Sequence, residues 1–194
     1  IIAYFLLGAS AVLDKIVLTK PIPHPLLYLT YVGLAAGYAI ILLPFGFSPA
    51  AFSGREEFIL IALASGILNI SALLPFYSAV KKSDVSRVTP FVGILAAVFT
   101  LIFGFLLGVE KLDAFQFLIF LILIAGALLV GKPRFEILGL IAGVLFGLSL
   151  VLAKFAYGEV GFLNGFIIAR GGELLVGLSL FLWPKNRQAL AANW

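Results

Sequence analysis

The chain of 194 residues contains no cysteine, no methionine and one histidine, and only 11% of it is charged. Without cysteine there can be no disulfide framework and no thiolate metal site. The single histidine, His24, lies between two prolines and cannot by itself build a zinc site or a general-base constellation. No catalytic residue, metal or cofactor is therefore expected. A secretory leader would need a basic segment ahead of its apolar run, and the start of the sequence has none. Because residue 1 is not methionine and already lies in an apolar stretch, the sequence is expected to be truncated at its N-terminus.

What is present is apolar. Hydrophobic residues make up 63% of the sequence, and the mean hydropathy is +1.20. A soluble domain is about half apolar and about a quarter charged, so most of this surface must face lipid. Runs of about 20 apolar residues, enough to cross a bilayer, are predicted near 1–19, 25–47, 57–80, 85–109, 114–131, 136–157 and 162–183. Short connections hold most of the charges and several prolines. Barrel strands would alternate apolar and polar residues, and these runs do not. The expected fold is an all-α membrane protein, a bundle of about seven transmembrane helices. The net charge of +4 needs no nucleic acid, because basic loops at a membrane surface are ordinary.

The sequence also repeats. Sliding residues 2–45 onto 141–184 matches Gly8 with Gly147, Ser10 with Ser149, Lys15 with Lys154 and Gly33 with Gly172, along with six apolar pairs. Five helices in the first copy would start the second copy on the opposite side of the membrane. That is an inverted repeat, an arrangement common in secondary transporters. The expected organisation is a five-helix unit over 1–131 and the first two helices of a second, incomplete unit over 136–194. The chain would then be roughly two thirds of a 5+5 inverted-repeat protein.

Ionisable groups inside hydrocarbon cost from about 2.5 kcal/mol upward, so each is a functional candidate. Arg170 and Glu173 lie roughly 12 and 17 Å into their span at 1.5 Å per residue. Spaced three apart, they share a helix face and can pair. They are read either as a substrate or proton site facing a cavity or as a self-neutralising structural pair. Glu173 is the candidate for carrying a coupling proton. Lys15 and Lys154 each lie near a helix end, where snorkelling to the interface competes with a cavity role. Asp14, next to Lys15, points about 100° away from it on a helix and is a poor partner for it. On the third span, Asn69 and Tyr77 flank Pro75, which lacks an N–H, leaves the Ser71 carbonyl free and predicts a kink. Gly139, Gly143 and Gly147 form a small-residue stripe for close helix packing, with Gly104 and Gly108 as a shorter version.

The segment from Phe76 to Pro90 (FYSAVKKSDVSRVTP), followed by a helix ending Gly108-Val-Glu-Lys-Leu112 and an apolar run to Gly131, resembles the EamA-type family of the drug/metabolite transporter superfamily. The resemblance implies two five-helix repeats and a transporter of small metabolites or drugs. Arg170 matches an arginine often found in the second helix of an EamA repeat, and Tyr31 stands at the equivalent place in the first copy. Tyr31 thereby joins Arg170, Glu173, Asn69, Tyr77, Lys15 and Lys154 as a candidate substrate-binding residue. The implied setting is the plasma or inner membrane, with a small-molecule substrate, the lipid bilayer and a coupling proton as partners.

Other readings fare worse. A carrier or flippase of lipid-linked intermediates is the alternative cargo. An intramembrane enzyme lacks His-Glu-x-x-His and Gly-x-Ser-x-Gly motifs. A seven-helix photoreceptor would need a lysine in its last span, which offers Arg170. Nothing resembles a nucleotide-binding loop, so coupling to a gradient, or no coupling, is expected rather than coupling to ATP. Loops after the odd-numbered spans hold eight Lys and Arg, and those after the even-numbered spans hold two. The positive-inside rule therefore puts the N-terminus outside, whereas the family resemblance implies the reverse.

Overall fold

The computed structural model describes residues 2–19, 24–109, 113–130 and 137–192. The described residues form helices with no strand. Helix α1 is Ile2–Thr19, and α2 is Pro25–Ala35, continued by a 3-10 stretch over Ala36–Phe45. A single 3-10 turn, Pro49–Phe52, precedes α3 (Glu57–Lys82). Then follow α4 (Val85–Leu106), α5 (Ala114–Val130), α6 (Ile137–Val160), α7 (Phe162–Leu182) and a short α8 (Pro184–Ala192).

Helices occupy all seven predicted places. Among the described residues, five are long and apolar enough to cross a membrane: Pro25–Phe45, Glu57–Lys82, Val85–Leu106, Ile137–Val160 and Phe162–Leu182. The outward faces fit that reading, with Leu60, Phe105 and Leu182 left 70%, 65% and 69% exposed. No folded protein in water would present such a band of side chains. The 3-10 winding of Ala36–Phe45 was not legible in the sequence. It rises about 2.0 Å per residue against 1.5 Å for an α-helix, so it lengthens this span. The stretch Pro184–Ala192, beyond the last predicted span, is also helical.

Local chemistry explains several helix ends. Pro25 sits at the first position of α2, where its missing N–H costs nothing and its fixed φ suits a helix. At the start of α5, Asp113 Oδ1 accepts from the Gln116 N–H at 2.7 Å, and Gln116 Oε1 accepts from the Asp113 N–H at 3.3 Å, a reciprocal cap. Helix α4 ends when Gly108 takes a φ of +68°. The Val109 N–H then reaches the Gly104 carbonyl at 2.9 Å, and the Gly108 N–H reaches that of Phe105 at 3.1 Å. That is a glycine-terminated helix end. It corrects the expectation that Gly104 and Gly108 form a packing pair, because nothing lies within 4 Å of a Cβ built on Gly108.

Helix α3 sits at the centre, packed against α6 and α7, while α4 packs against α6 and α2 against α7. The Gly139, Gly143 and Gly147 stripe does what its spacing implied. A Cβ on these residues would meet Phe91, Leu95 and Phe99 of α4 respectively. Gly33 of α2 and Gly177 of α7 likewise lie backbone to backbone. The main core gathers Leu18, Leu29, Ile70, Tyr77, Val80, Val88 and Val92. A smaller cluster at the other end of α3 joins Phe52, Phe58 and Val160.

Candidate functional site

Two glycines place the central polar group. A Cβ on Gly66 of α3 would strike the Ala169 carbonyl, and one on Gly172 of α7 would strike that of Leu63. Their absence lets the α3 and α7 backbones touch. Asn69 lies three residues beyond Gly66, on the same face of α3, and Glu173 directly follows Gly172. The close crossing therefore brings the Asn69 amide against the Glu173 carboxylate, although 104 residues separate them. Asn69 Nδ2 donates to Glu173 Oε1 at 2.8 Å.

The other carboxylate oxygen accepts from Arg170 Nη1 at 2.5 Å, so the predicted i, i+3 pair forms. The Glu173 side chain is 4% exposed and that of Arg170 29% exposed. The carboxylate is sealed between its two partners, and the guanidinium is the group that can be approached. The Arg170 guanidinium also lies over the Phe166 ring, 4.9 Å from its centroid, an attraction between cation and ring face. Phe166 stacks on Phe162 at 5.6 Å, and Tyr157 of α6 meets Phe162 edge-on at 5.4 Å. These aromatic neighbours were absent from the sequence reading. Their signal was there: Phe162, Phe166 and Arg170 recur every four residues on one helix face.

The remaining candidates divide. Tyr77 is buried, tilted against Tyr28 at 4.8 Å and Phe76 at 5.6 Å. The Tyr28 hydroxyl donates to Asp14 Oδ1. Lys15 donates to the Val80 carbonyl and, at 2.9 Å, to that of Ser83, both at the C-terminal end of α3. A cation at that end meets the negative pole of the helix dipole. Asp14 and Lys15 thus turn to different helices, as their 100° separation predicts. Lys154 is exposed on α6 and Tyr31 is half-buried on α2. The hydrogen bonds of Arg170 and Glu173 go to Asn69 and to each other, so Lys15, Lys154, Tyr31 and Tyr77 are not hydrogen-bonded to that group. Around Pro75, α3 runs on unbroken, and the Ser71 hydroxyl donates back to the Ile67 carbonyl at 2.6 Å. Among the described residues no cluster of His, Asp and Glu could hold a metal ion.

Two grooves lie elsewhere. One, of about 470 Å³, is lined by Leu101, Phe105, Asp113 and Phe117 where α4 meets α5. The other, of about 550 Å³, lies between the start of α2 and α8 and includes His24, Trp183 and Asn186. Neither touches the Asn69–Arg170–Glu173 group.

Comparison with known families decides the class. The family model described as the EamA-like transporter family matches residues 1–132, more than half of the chain. The chain belongs to the EamA-like transporter family. A search of curated proteins and one of solved structures returned no match. The EamA match covers α1 to α5, and with the apolar spans it makes this an integral, multi-pass membrane protein of a transporter family. Arg170 and Glu173 lie beyond the matched residues, on α7.

Proposed function

We propose that this EamA-family protein is a secondary transporter. It moves a small metabolite or drug by alternating access between an inverted pair of units, 1–131 and 136–194. Its substrate site is the Asn69–Arg170–Glu173 group. One observation carries the reading: a polar triad around the buried Glu173 joins α3 of the first unit to α7 of the second. A site at the junction of two repeats changes its exposure when they rock against one another. A structural ion pair alone would not need a partner from the other unit.

The family match, ending at residue 132, supports a boundary near 131. The loop contacts support the inversion. At one end the α2–α3 loop meets the α6–α7 turn, where Arg55 pairs with Glu159 at 3.5 Å and the Ser48 N–H donates to Asn164 Oδ1 at 2.9 Å. At the other end α8 meets the start of α2, where Asn186 Nδ2 donates to Thr30 Oγ1 at 2.7 Å. Exchanging the units exchanges these two pairings.

The test is the melting temperature of the purified protein against amino acids, nucleosides, sugars and organic cations and anions. A ligand that binds only the folded state stabilises it by mass action, by about 2.7 kcal/mol at a hundredfold excess over Kd, and so raises that temperature. One chemical class is expected to stabilise the protein, with Arg170→Gln abolishing the shift and Glu173→Gln altering its pH dependence. If ligands bind and both variants respond like wild type, the triad is not the site. If no soluble compound binds, lipid-linked cargo replaces small metabolites.

A further inference from the structure

Accessibility and charge together narrow the cargo. Both oxygens of Glu173 are engaged, by Asn69 at 2.8 Å and by Arg170 at 2.5 Å, and the side chain is almost fully enclosed. A cationic cargo would have to reach that carboxylate through its partners. Arg170 is placed the other way. A guanidinium carries five N–H donors, and among the described residues only Nη1 has a hydrogen-bond partner. The Phe166 ring centroid lies 4.9 Å from the Arg170 Cζ, which leaves the guanidinium edge, of the kind that grips a carboxylate or phosphate through two hydrogen bonds.

The approach to that edge is apolar. Phe162, the first residue of α7, is 65% exposed, Phe166 is half-buried one turn further in, and Arg170 follows one turn beyond. The stacked rings form a row from the helix end to the guanidinium. A ligand lying along it would meet rings with its body and Arg170 with its head.

Charge counting adds a proton. Arg170 and Glu173 are neutral as a pair, so an anion bound to Arg170 would leave one uncompensated negative charge inside the membrane, which is strongly unfavourable. A proton on Glu173 restores neutrality, and the carboxyl can still accept from Asn69. The titratable groups near enough to feel the Glu173 charge are Arg170 on its own helix, Tyr77 on α3 and Tyr157 on α6. Tyr28 of α2 lies beyond Tyr77, and Tyr38 of the 3-10 stretch beyond Tyr157. None of these tyrosines supplies a cation, so the compensating charge comes from solution.

We propose that the cargo is an amphipathic organic anion whose carboxylate or phosphate takes the Arg170 guanidinium, while Glu173 gives up that ion pair and binds one proton. This rests on the transporter reading above. It makes the pair an exchange point: Arg170 holds either Glu173 or the cargo, and the site stays neutral in both states.

Titration calorimetry with phenylacetate, phenethylamine and 2-phenylethanol tests this with one ring and three head groups. Phenylacetate is expected to bind, and the amine and the alcohol are not. Its affinity should tighten about tenfold for each pH unit lowered while one proton is taken up. Repeating the titration in buffers of different ionisation enthalpy should show about one proton absorbed per anion, the same linkage read as heat. Arg170→Gln should lose binding. Glu173→Gln should keep binding and lose both the pH slope and the proton uptake. Binding of phenethylamine in place of phenylacetate, or no binding within the series, overturns the anion assignment. The transporter reading would then still stand or fall on its own ligand screen. Anion binding with no proton uptake overturns the exchange.

Discussion

Glu173 illustrates how one buried charge is held. Its carboxylate is buried midway along α7, where the cost is met by a guanidinium on the preceding helical turn and an amide from α3. Removing one partner of such a pair is far more damaging than replacing both, because it strands the remaining charge. Arg170→Met is therefore expected to destabilise the protein by about 3 kcal/mol. The double variant Arg170→Met/Glu173→Gln should recover most of that loss, since the glutamine carbonyl can still accept from Asn69. Melting temperatures in detergent read the difference. A double variant no more stable than Arg170→Met alone would mean that the carboxylate charge is not what the arginine offsets.

At the scale of helices, small residues decide which backbones touch. At Gly66 an added methyl group would collide with a carbonyl of α7, which cannot rotate away as a side chain could. Gly66→Ala is expected to cost about 1–3 kcal/mol through overpacking and to weaken the Asn69–Glu173 contact that the crossing creates. Gly93→Ala, on α4, is the control, because a Cβ there meets nothing within 4 Å. It should raise stability by up to about 1 kcal/mol, the ordinary gain of alanine over glycine in a helix. Equal melting temperatures for the two variants would contradict the close crossing. Helical packing was partly legible in the sequence. The four-residue spacing of Gly139, Gly143 and Gly147 announced a contact face, but not that α4 fills it. The same spacing misled at Gly108, because a glycine that ends a helix and one that packs a helix look alike in sequence. Only its φ of +68° separates them. The 3-10 winding of Ala36–Phe45 left no sequence signal, since its residues are as apolar as an α-helical span.

Over the whole molecule, what could be read from sequence was set by separation along the chain. Arg170 and Glu173 were legible as a pair because one helical turn joins them. Asn69 was legible as a polar residue at depth, but its bond to Glu173 depends on a crossing of helices 104 residues apart. Tyr28, the partner of Asp14, was missed for the same reason. The distribution of charge is a property of the entire chain and yields the last prediction. Eight Lys and Arg fall at the C-terminal ends of the first, third, fifth and seventh spans or just beyond them, and two at those of the other spans. Basic loops are retained on the cytoplasmic side, so the charge count predicts the end with Lys81, Lys82 and Arg87 to be cytoplasmic, opposite to the orientation the family resemblance implies. Ser53, shortly before α3, and Ser86, in the first turn of α4, are both exposed. These 194 residues hold no cysteine, so Ser53→Cys and Ser86→Cys each add a single thiol to them, and the unsubstituted protein is the labelling blank. In intact cells a membrane-impermeant maleimide should label Ser53→Cys at once and Ser86→Cys only after permeabilisation. The reverse pattern would place the basic loops outside and show that the charge asymmetry does not set this protein's orientation.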